Sequence, residues 1–313
     1  MGSAPSVANL AAWFSRPERG LRYSIWSMAH NIGEGMTFVI TAVVVGALGW
    51  QSGFWVPGLI CIGVAFLLFR TILDRPETYG LPPITVYKGD EAHSSDDEGQ
   101  TVGQGQLQVL KNPAIWVLAL ASACLYVARY GINNWFVFYL QEAKSYEIKM
   151  AGFTTAFSPI IGAAGTLAAG PISDYLFGGR RIPVSLIYGV LLIAGLVAIP
   201  LIPPGHMWAD AAAVSVCGFA IGGLLVFLGG LIAVDISSRR AAGAAMGVVG
   251  VFSYLVAAIA DKIDGWLIES SKTVIGGKAV YDFDRLLYFW IGAAVVSLVL
   301  TAALWRPGRR ATH

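Results

Sequence analysis

The sequence predicts an all-helical integral membrane protein with about eight membrane-spanning helices. Three observations carry this. Of 313 residues, 56% are hydrophobic and 13% are charged, against roughly 25% charged in a soluble domain, and the mean hydropathy is +0.65. The apolar residues fall into eight long runs, each near the ~20 residues that cross a ~30 Å hydrocarbon core. Lysine and arginine collect in alternate gaps between the runs. The 37 glycines suit helices that pack closely in lipid.

In chain order, Met1 to Phe14 is apolar but too short to span. It reads as the tail of a helix whose beginning lies upstream. Ser15 to Arg22 reads as a short basic loop. Spans are predicted at about Tyr23–Leu48 and Phe54–Leu73, separated by a turn at Gly49–Gly53. Residues 74–113 are polar and acidic in the middle (Asp90, Glu91, Asp96, Asp97, Glu98), and read as a linker outside the membrane. Six further spans follow at about 114–140, 153–177, 183–202, 209–234, 241–268 and 286–305. The gaps carry turn signals such as Gly178-Gly179, Pro203-Pro204-Gly205 and Gly276-Gly277. The chain thus divides into 1–73, a remnant of a first transmembrane half, the linker 74–113, and a six-helix half over 114–313.

Placing the Ser15–Arg22 loop in the cytoplasm and alternating puts fourteen Lys and Arg inside and five outside (Lys144, Lys149, Lys272, Lys278, Arg285). The positive-inside rule therefore sets the linker and C-terminus in the cytoplasm. Six spans after a long cytoplasmic linker match one half of a twelve-helix transporter. The expectation is that about three and a half helices precede Met1; eight spans as the whole design is the alternative. Cys61, Cys124 and Cys217 lie inside apolar runs and read as small buried hydrophobes. Met1 leads into Gly-Ser-Ala-Pro without a charged region of the kind that opens a secretory signal. No nucleophile–base pair, metal-ligand cluster or phosphate-cradling glycine loop is visible, so the sequence implies neither an enzyme nor a cofactor. The basic residues sit at loop positions on one membrane side, which does not suggest nucleic acid.

Arg129 is the residue that composition does not explain. It lies about halfway along the run 114–140, ~22 Å from its start. A guanidinium at that depth costs at least ~2.5–3.5 kcal/mol and normally faces the bundle interior, a partner or a solute path. No carboxylate on its own span is near, so the expected partner is an anion that comes and goes. Tyr126 lies one turn before Arg129 on the same face. Tyr126, Tyr130 and Asn134 are candidate hydroxyl and amide contacts, or ordinary interhelical packing. His30, ~12 Å into the first span, is a candidate to bond an anion or exchange a proton. Glu34 follows one turn later.

Several stretches carry a resemblance: Trp13-Phe14-Ser15-Arg16-Pro17-Glu18-Arg19-Gly20, Ala29-His30-Asn31, Asp74-Arg75-Pro76-Glu77-Thr78-Tyr79-Gly80, Tyr126 to Trp135, Ile172-Ser173-Asp174 and Ala241 to Gly247. In this order the chain resembles the organophosphate:phosphate antiporters of the major facilitator superfamily, over essentially its whole length. The resemblance implies a major facilitator bundle in which the spans correspond to helices 5–12 of 12, preceded by the tail of helix 4. It implies exchange of an organic phosphate ester, such as a sugar phosphate or glycerol phosphate, for inorganic phosphate across a bacterial inner membrane. Arg129 matches one of two family arginines that bind the phosphate group, and His30 matches the family histidine. Lys262 falls where hexose-phosphate transporters have an Ala-Lys pair; it would bind a second anionic or sugar group, or pair with Asp261 or Asp264. Gly170, Asp174, Arg180 and Arg181 match a loop motif that locks one conformational state, with Asp235, Arg239 and Arg240 as a weaker counterpart. The family also includes a hexose-phosphate sensor, so a receptor signalling to a partner histidine kinase is a second reading. A facilitator of a non-phosphate solute is a third.

The departures are Glu34, where the family usually has glycine; Pro159, where it commonly has glutamate; and Gly223-Leu224-Leu225-Val226, where it has a Phe/Tyr-Gly-Pro-Gln stretch. Glu34, a carboxylate beside His30, would disfavour a second anion nearby; the other two imply that the phosphate end of the site is kept while the side facing the substrate tail differs.

Overall fold

The computed structural model describes residues 13–14, 16–71, 76–82, 84–87, 109–236, 242–275 and 278–305; the side chains of residues 16–27 and of His30, Thr85, Val86, Val234, Ala242, Ile275 and Lys278 lie outside that description. Eight helices are long and apolar enough to cross a membrane. They are α1 Arg16–Leu48, α2 Ser52–Thr71, α3 Pro113–Lys144, α4 Ile148–Pro171, α5 Arg181–Leu201, α6 Met207–Val226, α7 Ala242–Ser271 and α8 Asp284–Ala303. A π-helical turn, Ile172–Leu176, extends α4. Another, Phe227–Leu231, extends α6 into a last turn, Ile232–Ile236.

One expectation needs correction. The basic stretch after Ser15 is not a loop, because α1 already begins at Arg16. Pro17 stands in its first turn, where the missing N–H would have no helical acceptor anyway. The connection after α7 carries two short strands that the sequence reading did not predict. Thr273–Ile275 and Lys278–Val280 pair as antiparallel β1 and β2, with Thr273 opposite Val280. Of the linker, a 3-10 turn at Pro76–Tyr79 and a helical turn at Ile84–Tyr87 are described; residues 88–108 lie outside the description.

The centre of the bundle is α3, with buried residues from Ile115 to Lys144 on every face, as expected of a helix that is apolar all round. Asn112 caps it, accepting from the Ala114 amide at 3.0 Å, with Pro113 at the first helical position. α7 and α8 pack along α3, α5 packs on α6 and α8, and α4 packs on α6 and α1. Short polar bonds tie these contacts where no water competes. The Ser253 hydroxyl donates to Ser122 Oγ at 2.9 Å between α7 and α3, and Ser297 donates to the Ala121 carbonyl at 2.8 Å between α8 and α3. α2 packs chiefly on α1 and leaves Phe54, Trp55, Phe66 and Phe69 exposed, a surface suited to lipid.

The α4–α6 crossing depends on glycine. A methyl at Gly218 would overlap the Ser158 carbonyl, and one at Gly222 would overlap the Gly162 carbonyl. The backbones approach so closely because these positions have no side chain. Gly218→Val is expected to cost about 3 kcal/mol or more, since a carbonyl cannot swing aside as a side chain can. A thermal melt in detergent reads this, and an unchanged midpoint would contradict the close approach.

Candidate anion site at Arg129

Arg129 is 8% exposed, near the middle of α3. The helical repeat places Tyr126 and Asn133 on its side, and Tyr130 is the next residue along α3. Its guanidinium carbon lies 5.6 Å from the Tyr126 ring centre and 5.5 Å from that of Tyr130. The two rings form a cation–π wall, each face worth up to ~2 kcal/mol when desolvated. Tyr254 of α7 closes the wall from behind, edge-on at 5.3 Å to Tyr126 and 6.3 Å to Tyr130.

The carboxylate that faces Arg129 comes from another helix. Glu34 on α1 places Oε2 3.5 Å from Arg129 Nη2, and its Oε1 accepts from the Asn133 side-chain amide. Opposite charges this close attract by roughly 4 kcal/mol at an effective dielectric near 20, comparable with the cost of placing a guanidinium at this depth. The sequence reading set Glu34 beside His30; the structure turns it onto α3. Among the described residues, Asn31, Glu34, Arg129, Asn133, Ser158, Pro159 and Leu225 line one cavity, floored by glycines of α4 and α6. Its free volume is ≈ 20 Å³, room for a water but not for a sugar phosphate. Both departures on the tail side, Pro159 and Leu225, therefore border the Arg129 cavity.

Other expected site residues lie elsewhere or beyond the description. Tyr126 and Tyr130 hold Arg129 by their rings and do not line the cavity. Asn134 is turned toward α7 and donates to Asp261 Oδ1 at 2.9 Å, beside the Trp135 indole at 3.0 Å. Lys262 is exposed and forms no ion pair with Asp261 or Asp264 among the described residues. Asp264 instead accepts from the Trp290 indole at 3.1 Å. The backbone of His30 sits on α1, one turn before Glu34.

The loop after α4 does gather its charges. Arg181 Nη1 bonds Asp174 Oδ1 at 2.7 Å and Ser173 Oγ at 2.9 Å, and Arg181 Nε lies 3.9 Å from Asp235 Oδ2. Burial raises the Asp235 carboxyl above its usual range, and Arg181 opposes this. Gly178 and Gly179 take φ of 57° and 79°, a left-handed turn open to glycine, and the Gly179 amide closes onto the Ser173 carbonyl at 2.9 Å. Arg180 is exposed at the head of α5, with no ion pair among the described residues; Arg239 and Arg240 lie outside the description.

At the opposite end of α4 lies an ion pair that the sequence reading missed. Lys144, counted there as an exposed loop cation, is buried against Asp210, and both side chains are almost wholly covered. Lys144 also donates to the Ile199 carbonyl at 3.0 Å, and the Tyr146 hydroxyl donates to Asp210 Oδ2 at 2.7 Å. The network joins α3, α5 and α6.

A buried cation in a bundle of spanning helices is the kind of site that holds an anionic solute in transit. The Major Facilitator Superfamily model matches residues 1–260. The chain belongs to the major facilitator superfamily. It is 32% identical to the glycerol-3-phosphate transporter of Bacillus subtilis (strain 168), over all of this chain and 69% of that protein. It is 34% identical to the membrane sensor protein UhpC of Salmonella typhimurium, again over all of this chain and 69% of that protein. Its fold matches that of a bacterial homologue of the human lysosomal transporter Spinster, solved inward-facing and unoccupied, with a TM-score of 0.68 at 15% identity over 97% of this chain and 76% of that one. As a major facilitator protein with phosphate-ester transporters among its relatives, the chain is a multi-pass membrane protein of the transporter class.

Proposed function

We propose that this major facilitator protein carries an organic phosphate ester, a glycerol phosphate or sugar phosphate, and exchanges it for inorganic phosphate by alternating access. The observation that supports the reading is Arg129, a buried guanidinium at mid-span, held by two tyrosine rings and facing a cavity between helices. A guanidinium forks onto two phosphate oxygens through charge-assisted bonds. His30 is the proposed second contact to phosphate. The Asp174–Arg181 pair is the proposed latch, since its bond must break for α4 and α5 to separate at that end. The bacterial relatives support an inner-membrane placement, and the basic-residue pattern supports that end, the linker and the C-terminus in the cytoplasm.

The test is counterflow in liposomes made with the protein from its complete reading frame. Vesicles are loaded with phosphate, given labelled phosphate outside, and driven by a panel of unlabelled esters. Exchange driven by an ester and lost in Arg129→Ala supports the proposal. Binding of an ester without exchange would replace it with a receptor reading, which the likeness to a membrane sensor protein favours. Binding of no phosphate compound would remove the phosphate reading altogether.

A further inference from the structure

The donors that would grip a phosphoryl group are already occupied by a carboxylate of the chain itself. α3 presents a guanidinium at Arg129 and an amide at Asn133, one turn apart, and Glu34 spends one oxygen on each. The cavity they share has ≈ 20 Å³ free, so a ligand and the Glu34 carboxylate compete for the same donors. Two anions side by side at this depth repel strongly. The groups facing Glu34 leave few ways out. α3 contributes Arg129 and Asn133, with the Tyr130 phenol beyond; α4 contributes Ser158 and Pro159; α6 contributes glycines and apolar side chains. On its own helix, His30 and Asn31 precede it. Among these described neighbours Arg129 is the one cation.

Resting on the function proposed above, we propose that Glu34 is a tethered counter-anion that couples anion entry to one proton and makes exchange optional. A proton from water adds to the Glu34 carboxylate and gives the neutral acid. The entering anion then takes its place on Arg129 and Asn133. After the halves reorient, the anion leaves, the acid returns its proton to water on that side, and the Glu34–Arg129 pair re-forms. Each anion carried takes one proton with it. In the empty carrier the Glu34 carboxylate neutralises Arg129 and satisfies Asn133. The Arg129 charge that would hold an empty site in place is then offset, and the carrier returns without a counter-substrate.

The test compares two uptake modes in liposomes containing the protein from its complete reading frame, with labelled inorganic phosphate as the probe. One set is loaded with phosphate and reports exchange; the other is free of phosphate and reports net uptake. In the wild type, net uptake is expected within about tenfold of exchange. An inside-alkaline gradient is expected to raise net uptake several-fold, and a protonophore to abolish that rise. Glu34→Gln is expected to lower the ratio of net uptake to exchange at least tenfold, because the empty site then keeps a bare cation. Wild-type exchange without net uptake would overturn this inference and leave the proposed function standing. So would a Glu34→Gln ratio equal to that of the wild type. If the variant does not fold, the wild-type gradient arm decides alone. Absence of both exchange and uptake would overturn the proposed function as well.

Discussion

Replacing Arg129 with lysine is expected to slow phosphate-ester exchange about 10- to 100-fold. Lysine keeps the charge but loses the fork that engages two oxygens together, and a charge-assisted bond is worth roughly 1.5–3 kcal/mol, with 1.4 kcal/mol per tenfold. Lysine also loses the flat stack on the Tyr126 and Tyr130 rings. Arg129→Ala is expected to abolish exchange and to destabilise the fold besides, because Glu34 is left as a carboxylate whose guanidinium partner has gone. The double change Arg129→Ala with Glu34→Ala separates the two effects. It is expected to recover much of the lost thermal stability in detergent and none of the transport. Full exchange by Arg129→Lys would show that the geometry of the guanidinium is immaterial.

The second large effect is expected far from that site. Lys144→Ala leaves Asp210 buried with the Tyr146 hydroxyl as its remaining described donor. Breaking a buried pair in this way costs about 3–5 kcal/mol, whereas replacing both partners with apolar residues of similar size is often neutral. Lys144→Met with Asp210→Leu is therefore expected to melt close to the wild type while Lys144→Ala melts far below it. Tyr146 adds a pH signature. Burial and its bond to Asp210 push the phenol up to about 12, from an ordinary value near ~10. The folded state holds this proton more tightly than the unfolded one, so the contribution is complete below pH ~10 and is lost as pH rises toward 12. Tyr146→Phe removes that alkaline limb of the melting curve; a limb of the same size in the variant would assign it to another group.

The eight spans were legible because each is a long apolar run, and run length is all that crossing a bilayer demands. Arg129 was legible because depth alone makes a charge conspicuous. Of its neighbours on α3, Tyr126 followed from helical spacing; Asn133, one turn on the other way, is a cavity residue that the sequence reading passed over in favour of Asn134. What spacing cannot show is which side chains meet across helices distant in sequence. Glu34 was visible as an oddity, yet 95 positions separate it from Arg129, and the helix it belongs to offered His30 as a nearer partner. Lys144 and Asp210 sit at the ends of their spans, where a lysine ordinarily reaches back to water. The signal that was available was the coincidence of a lysine, a tyrosine two residues later and an aspartate in the first turn of another span, but nothing in the sequence brings those ends together. Asn134 faced the other way for a similar reason. One residue past Asn133 is a rotation of about 100° about α3, enough to carry it from the Arg129 cavity to Asp261 on α7.

The start of α1 is hidden in the sequence because Ser15 to Arg22 is dense in charge, a composition that loops share. A helix continues through such a stretch when its proline falls in the first turn, as Pro17 does. The strands β1 and β2 are three residues each, too short for alternation to register as a pattern.

The central claim is that Arg129 holds a phosphate-bearing anion, and equilibrium binding tests it most directly. The protein from its complete reading frame would be purified in detergent and titrated with labelled inorganic phosphate, in the wild type and in Arg129→Lys, with the fold of each confirmed by its melt. Saturable binding that unlabelled phosphate and a glycerol or sugar phosphate displace, and that weakens about 10- to 100-fold in the folded lysine variant, is the result predicted here. Equal affinity in the two proteins, or no saturable binding in the wild type, would contradict it.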